Sequence, residues 1–528
     1  MNRIHCSDPL IGDILAGWRY DISGLSPAMR TDYDRHLTEC GHCRRRQRLA
    51  RTIDILLISV SALSILTFLL AAAVLHRIEA VAHLGNTLHA HLYHTPITIS
   101  LEAAAVAGVV VSVLLCVLVA ISTAAGAPEV EMGRLEPILM EEVEQTGKIG
   151  ASEAADFDRW HLMSLDACME CGRCTEVCPA WNVGKKLNPQ LIVQETRSAL
   201  YTKASLAAKV TDEELWACTT CNACVEACPV LIRQVDFIVD MRRNLVAEGK
   251  LTGPATTMLR QMGSNRSAWG NATDREAWMQ GHDVPLARDK KTFDVLFWVG
   301  CAGATDPAGI KTSQAVAFLL NKAKVDFACL GTEEACTGDP ARRVGDEFMF
   351  QDLAGSNLET LKKYQFNSIV TACPHCLNTL KNEYPDFDGK FKVEHHTQML
   401  ARLADEGKIK RIEGQFTYHD PCYLARVNSE SIAPRSLLNL PVIEPQNHGK
   451  KTLCCGAGGG RMWMEEDPGQ RPAERRMVEL LNTGSTQIAL GCPFCKIMLE
   501  TGVPADKSDQ VRLVDLAVLM QESNGGME

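Results

Sequence analysis

Two long stretches of the chain carry no charged residue. Ile55 to Leu75 is 21 residues long and Ala103 to Ala125 is 23. As helices rising 1.5 Å per residue, each would reach roughly 30–35 Å, enough to cross a hydrocarbon core. They predict two transmembrane helices within 53–126. Arg44, Arg45, Arg46, Arg48 and Arg51 precede the first, whereas Arg77 is the one Lys or Arg between the two. That asymmetry puts the loop 77–96 outside and both termini in the cytoplasm, as a two-span protein of the cytoplasmic membrane. The first apolar run lies far from the start, so no signal peptide is read there.

After the spans the pattern changes twice. Residues 127–160 are rich in Glu and predict a helical connector. Asn188 to Lys209 has apolar positions at helical spacing, with Pro189 near its start. Residues 251–290 carry Gly, Ser and Asn and predict a linker. From 291 short apolar runs alternate with helical stretches. Phe293–Val299, Val325–Ala328 and Phe416–His419 read as strands, which predicts α/β units with functional residues at strand ends.

Composition adds one decisive number. Net charge is −10, which gives no sign of nucleic-acid binding, but there are 22 cysteines. Eight of them form two runs of identical spacing. Cys168, Cys171, Cys174 and Cys178 are followed by Pro179; Cys218, Cys221, Cys224 and Cys228 are followed by Pro229. In a two-cluster ferredoxin, three thiolates of each run hold one cubane and the fourth ligates the other. The expected sets are therefore Cys168, Cys171, Cys174 and Cys228 for one 4Fe–4S centre, and Cys218, Cys221, Cys224 and Cys178 for the second. Zinc does not need two interlocked four-cysteine runs. So many thiolates imply a reducing compartment, which agrees with the cytoplasmic side of the membrane. Cys116 stands alone in the second apolar run and reads as an inert thiol.

The first 52 residues carry Cys6 and then His36, Cys40 and Cys43. His and Cys at i and i+4, followed by C-x2-C, place three ligands on a helix end and the turn after it. Cys6 could complete a tetrahedral zinc site. The alternative is a small helical domain with spare reduced thiols. The H-x3-C-x2-C pattern resembles the zinc-finger domain at the front of membrane-bound anti-sigma factors. In the outer loop, His76, His83, His89, His91 and His94 could ligate a haem b or serve a quinone, with Glu102 just inside the second span. Solvated histidines on an interfacial helix are the alternative.

The C-terminal half repeats. Cys301, Cys336 and Cys373-Pro-His-Cys376 are matched by Cys422, Cys454-Cys455 and Cys492-Pro-Phe-Cys495, and thirty-six residues precede the C-x2-C pair in both copies. These residues resemble the CCG domains of heterodisulfide reductase and its relatives. The resemblance implies a non-cubane 4Fe–4S cluster on Cys422, Cys454, Cys455, Cys492 and Cys495, the expected catalytic centre. In the first copy Ala335 replaces one cysteine of the pair, leaving Cys301, Cys336, Cys373 and Cys376 for an additional cluster; Cys329 reads as core. Cys336-Thr-Gly-Asp-Pro-Ala-Arg-Arg343 and Cys454-Cys-Gly-Ala-Gly-Gly-Gly-Arg461 also resemble the cytoplasmic part of electron-transfer-flavoprotein:menaquinone oxidoreductases over roughly 160–505. The glycines 456–460 are expected to let backbone N–H groups reach cluster sulfur. His375, His395, His396 and His419 lie near ligand loops, as hydrogen-bond donors or as ordinary histidines.

The expected architecture is multidomain, α plus α/β. A zinc-finger-like helical domain (1–52) leads into a two-helix membrane hairpin (53–126) and a helical connector (127–160). An α-helical two-cluster ferredoxin domain (161–250), the linker (251–290) and two CCG domains (291–410 and 411–528) follow. The resemblance implies a membrane-anchored subunit that carries electrons from an electron-transfer flavoprotein, or another flavoprotein dehydrogenase, toward menaquinone or a haem-b membrane subunit. Ala335 favours that reading over a heterodisulfide-type disulfide or thiol reductase. A redox-sensing regulator is the third class.

Overall fold

The computed structural model describes residues 132–269, 274–466 and 471–526. The expected zinc ligands Cys6, His36, Cys40 and Cys43, both expected spans, the histidine-rich loop and Cys116 lie outside the described residues. Among the described residues, no helix is long and apolar enough to cross a membrane.

The ferredoxin part is helical. Helix Pro189–Thr202 starts where expected: Pro189 supplies a helical φ, and the Asn188 side chain accepts from the N–H groups of Gln190 and Leu191. It stops earlier than the apolar spacing suggested, because Lys203 turns to a φ of 55° and a 3-10 turn, Leu206–Ala208, takes over. Its buried face, Ile192 and Val193, packs with Leu165, Phe237 and Ile238, the last two from helix Gln234–Ala247.

The segment 251–290 is not a linker. Helix Pro254–Asn265 runs through it with Ala255, Met258 and Met262 buried, at the i, i+3, i+7 spacing of one helix face. Trp278 is 2 % exposed, and Arg275 pairs with buried Glu334 at 2.6 Å. Gly253, Gly263 and Ser264, which suggested a loop, are exposed, whereas Ser267 is buried with the rest of the packed segment.

Two parallel sheets follow. The first contains β1 (Val295–Trp298), β2 (Phe327–Ala328), β3 (Ser368–Thr371) and β4 (Val393–His395), in the order β2-β1-β3-β4. The second contains β5 (Thr417–Tyr418), β6 (Gln487–Leu490) and β7 (Arg512–Asp515), in the order β5-β6-β7. The near-continuous burial of these strands fits parallel sheets covered by helices. Both sheets feed one core, in which Phe297, Leu320 and Leu403 meet Tyr418, Leu516 and Met520. The carboxyl ends of β1 and β3 lead to Cys301 and Cys373; those of β5 and β6 lead to Cys422 and Cys492.

The connector is only partly helical (Met140–Thr146 and Arg159–Asp166) and its start is fastened to the first repeat. The Gly133 carbonyl accepts from Arg343 at 3.1 Å and Asn378 at 2.9 Å, Arg134 pairs with Asp386 at 2.7 Å, and Leu135 is buried.

Candidate functional site

The two ferredoxin loops repeat at the level of backbone angles. Two residues after the first cysteine, Glu170 and Thr220 have φ of 53° and 49°; four after it, Gly172 and Asn222 have 78° and 59°. Asn222 tolerates the left-handed conformation that glycine takes in the first loop, and its side-chain amide donates to the Thr220 carbonyl at 3.1 Å. Each loop then enters a short helix, Arg173–Glu176 or Ala223–Ala227, which carries the third cysteine.

These turns bring the thiols into the expected interlocked sets. Cys168, Cys171, Cys174 and Cys228 line one cavity, although Cys228 belongs to the second run. Cys178 in turn lies beside Cys218, Cys221 and Cys224. Cys171 is exposed, Cys168 is intermediate, and the other six are buried.

In the second repeat, Cys422 meets Cys454, Cys454 meets Cys455, and Cys455 and Cys492 both meet Cys495. In the first repeat, Cys301 meets Cys336 and Cys373 meets Cys376, with Cys376 close to the other two. Ala335 is buried at the missing position. Cys329 packs with Trp278 and Phe297 in the apolar core, away from these thiols, as expected.

The sites are joined at one point. The Cys221 thiol lies within hydrogen-bonding reach of the Cys454 thiol, and Thr219 Oγ1 is 3.6 Å from the same sulfur. A β-carbon on Gly458 would collide with the Thr219 carbonyl, and one on Gly459 with that of Cys218. The glycine run therefore seats the second repeat against the ferredoxin backbone. Within 456–460, the Gly456 N–H reaches Cys454 Sγ at 3.3 Å and the Ala457 N–H reaches the Cys455 thiol.

Do these residues fit iron–sulfur clusters? None of the described cysteines is in a disulfide. Burial pushes the thiols of Cys174 and Cys218 up to about 11, so at neutral pH they become thiolates only against a cationic body. Backbone N–H groups already point at sulfur: Thr220 to Cys218 and Ile232 to Cys228, each at 3.3 Å, and Cys495 to Cys492 at 3.5 Å. Gly300, with φ 77°, would place a β-carbon 3.4 Å from Cys376 Sγ, so the backbone passes close to the thiols there as well. Thiolates in fours and fives, ringed by N–H donors, suit this group.

The comparisons with known proteins agree. A 4Fe-4S dicluster domain matches residues 152–232, and a cysteine-rich domain, CCG, matches twice, at 295–381 and 416–500. The chain is 36% identical to the probable iron-sulfur-binding oxidoreductase FadF of Bacillus subtilis, over 74% of this chain and 64% of that protein. It is also 36% identical to the EtfAB:quinone oxidoreductase of Syntrophomonas wolfei, over 72% and 61%. The chain thus spans a little under two thirds of the length of these relatives. A subunit of the dihydromethanophenazine:CoB--CoM heterodisulfide reductase of Methanosarcina barkeri is 31% identical, over 69% of this chain and 95% of that subunit. The chain belongs to the heterodisulfide reductase-like family of CCG-domain proteins.

Sequence reading missed the buried arginines of this chain. Arg242, wholly buried, donates to the carbonyls of Leu215, Cys218, Arg343 and Gly459 at 2.6–3.0 Å, tying the ferredoxin to both CCG repeats. Arg426 donates to the Cys221 carbonyl at 2.9 Å. Arg243 and Arg342 share buried Glu347, whose carboxyl they hold down at about 2 although burial pushes it the other way. The consecutive Arg342 and Arg343, six residues beyond Cys336, were the visible signal; nothing in the sequence marked Arg242.

Of the four histidines near ligand loops, His375 stacks on Tyr423 with ring centroids 4.2 Å apart and bonds Asp339 at 2.9 Å. His395 bonds Thr397 at 2.8 Å and His396 bonds Asp515 at 3.1 Å. His419 lies against Cys455 and Cys495.

Proposed function

We propose that this chain is an iron–sulfur oxidoreductase that carries electrons from an electron-transfer flavoprotein, or another flavoprotein dehydrogenase, toward menaquinone. Two 4Fe–4S cubanes on the ferredoxin cysteines, a non-cubane 4Fe–4S cluster on the second repeat and a further cluster on Cys301, Cys336, Cys373 and Cys376 would supply one-electron carriers. The single observation that carries this reading is the approach of Cys221 to Cys454. It joins the ligands of the ferredoxin to those of the second repeat through buried protein, with no solvent gap. At the far end Cys171 is exposed beside Met169, 65 % exposed, and Val230, 39 % exposed. An apolar rim around an accessible thiol suits hand-over to a second redox protein. The name of the Syntrophomonas relative, which pairs EtfAB with quinone, supports an electron-transfer flavoprotein as donor and a quinone as acceptor.

On this reading residues 53–126 anchor the chain in the cytoplasmic membrane with both termini inside. Cys6, His36, Cys40 and Cys43 hold a docking zinc. A haem-b partner subunit, or the histidine-rich loop itself, completes the path. The test is direct. Reduced electron-transfer flavoprotein should reduce the clusters of the purified complex, and a menaquinone analogue should reoxidise them.

A second reading, disulfide or thiol reduction at the CCG pair, is favoured by one observation. Cys301 and Cys336 of the first repeat share an apolar cluster with Cys455, Cys492 and Cys495 of the second. Reduction of the clusters by a dithiol, with flavoproteins inert, would replace the first reading by this one.

A further inference from the structure

A ring nitrogen of His419 and the sulfurs of Cys455 and Cys495 all lie within 4.8 Å of one another. Taken alone, the trio looks like a Cys2His metal site. The hydrogen bond at Nδ1 decides otherwise. Arg476 Nε lies 3.0 Å from His419 Nδ1. A guanidinium nitrogen only donates, so Nδ1 must accept, and the neutral ring carries its hydrogen on Nε2. A protonated Nε2 has no lone pair for a metal. It is a donor, and among the described residues it is buried with no hydrogen-bond partner.

Buried N–H groups without acceptors are rare and costly. Here the available acceptor is the sulfur of whatever Cys455 and Cys495 hold. Arg476 is itself fixed, donating through Nη1 to the Asn447 carbonyl at 2.8 Å and to Glu479 at 2.5 Å. The first repeat offers a parallel. Trp298 stands three residues before Cys301, as His419 stands three before Cys422. Its indole N–H is likewise buried and unpartnered among the described residues, in the apolar cluster that contains Cys373 and Cys376.

We propose that His419 is a positioning residue that donates a hydrogen bond from Nε2 to sulfur at the second-repeat cluster, with Arg476 fixing its tautomer. The inference rests on the reading that Cys455 and Cys495 ligate that cluster. Donation to sulfur favours the more negative, reduced state, so it raises that cluster's midpoint potential.

The test is a potentiometric titration of the full-length holoprotein followed by electron paramagnetic resonance. His419→Phe removes the donor and should shift the second-repeat signal to lower potential, with iron content and both ferredoxin potentials unchanged. His419→Gln, which keeps an N–H, should recover part of the shift. An unmoved potential in His419→Phe with iron intact overturns the proposal. Pulsed measurements on the unmodified protein with 15N-labelled histidine serve if the variant does not hold iron. A weakly coupled imidazole nitrogen is expected; a strongly coupled ligand nitrogen, or none, overturns the proposal. Absence of any second-repeat cluster signal in the unmodified protein removes the underlying reading as well.

Discussion

Arg242 donates from Nη2 to the carbonyl oxygen of Cys218, 2.7 Å away. The same guanidinium holds three further carbonyls, so Arg242→Met would strip a donor from four buried acceptors, of which Leu215 keeps the Cys218 N–H at 3.3 Å. Each such loss is worth about 1–3 kcal/mol. The variant should be destabilised by at least about 3 kcal/mol, seen as a lower thermal midpoint, and the ferredoxin should separate from the CCG repeats under limited proteolysis.

Cys171→Ala removes one thiol from the set Cys168, Cys171, Cys174 and Cys228. Iron content should fall by up to one cluster, and the reduced-state spectrum should lose one cubane signal while the others persist. Unchanged iron and spectrum would refute this ligand set.

The meeting of Cys221 with Cys454 predicts magnetic coupling between the two clusters they would hold. In the fully reduced protein the paramagnetic signals should broaden or split. That interaction should vanish in Cys454→Ala while the ferredoxin signals remain.

His161 gives a pH dependence. It is 3 % exposed; burial disfavours its charge, but Asp158 at 2.7 Å and Asp236 at 3.6 Å outweigh this and raise it to about 10. Arg233, paired with Asp236 at 2.6 Å, and Asp240 complete its charged surroundings. A raised folded-state value means that the stabilisation is complete below the unfolded value of 6.5 and disappears as pH rises through about 10. Unfolding measured from pH 6 to 10 should show the native protein losing a few kcal/mol more than His161→Leu.

The sequence made the thiol sets legible because their spacing is local. Each loop needs only a few residues between cysteines, and the two runs announce their own pairing. The strands at 293–299 and 416–419 were legible for the same reason, being short apolar runs that end at cysteines. The meeting of Gly458 and Gly459 with Cys218 and Thr219 was not. It depends on backbone approach between segments some 240 residues apart, and a glycine run beside two ligands has a simpler local explanation. Arg242 and Arg476 were hidden because an arginine on a helix ordinarily faces water, and only tertiary packing turns it inward. Helix Pro254–Asn265 was lost among the glycines, serines and asparagines of 251–290, although Ala255, Met258 and Met262 carried the periodicity.

Of the proposed cluster thiols among the described residues, Cys171 is the exposed one. Damage therefore has a fixed order. Peroxide or a chelator arriving from solvent meets the outermost cubane first, while the buried centres behind it are shielded by protein. Inactivation should begin as an open circuit at the outer end, and reconstitution with iron and sulfide at that one position should restore the whole chain of carriers.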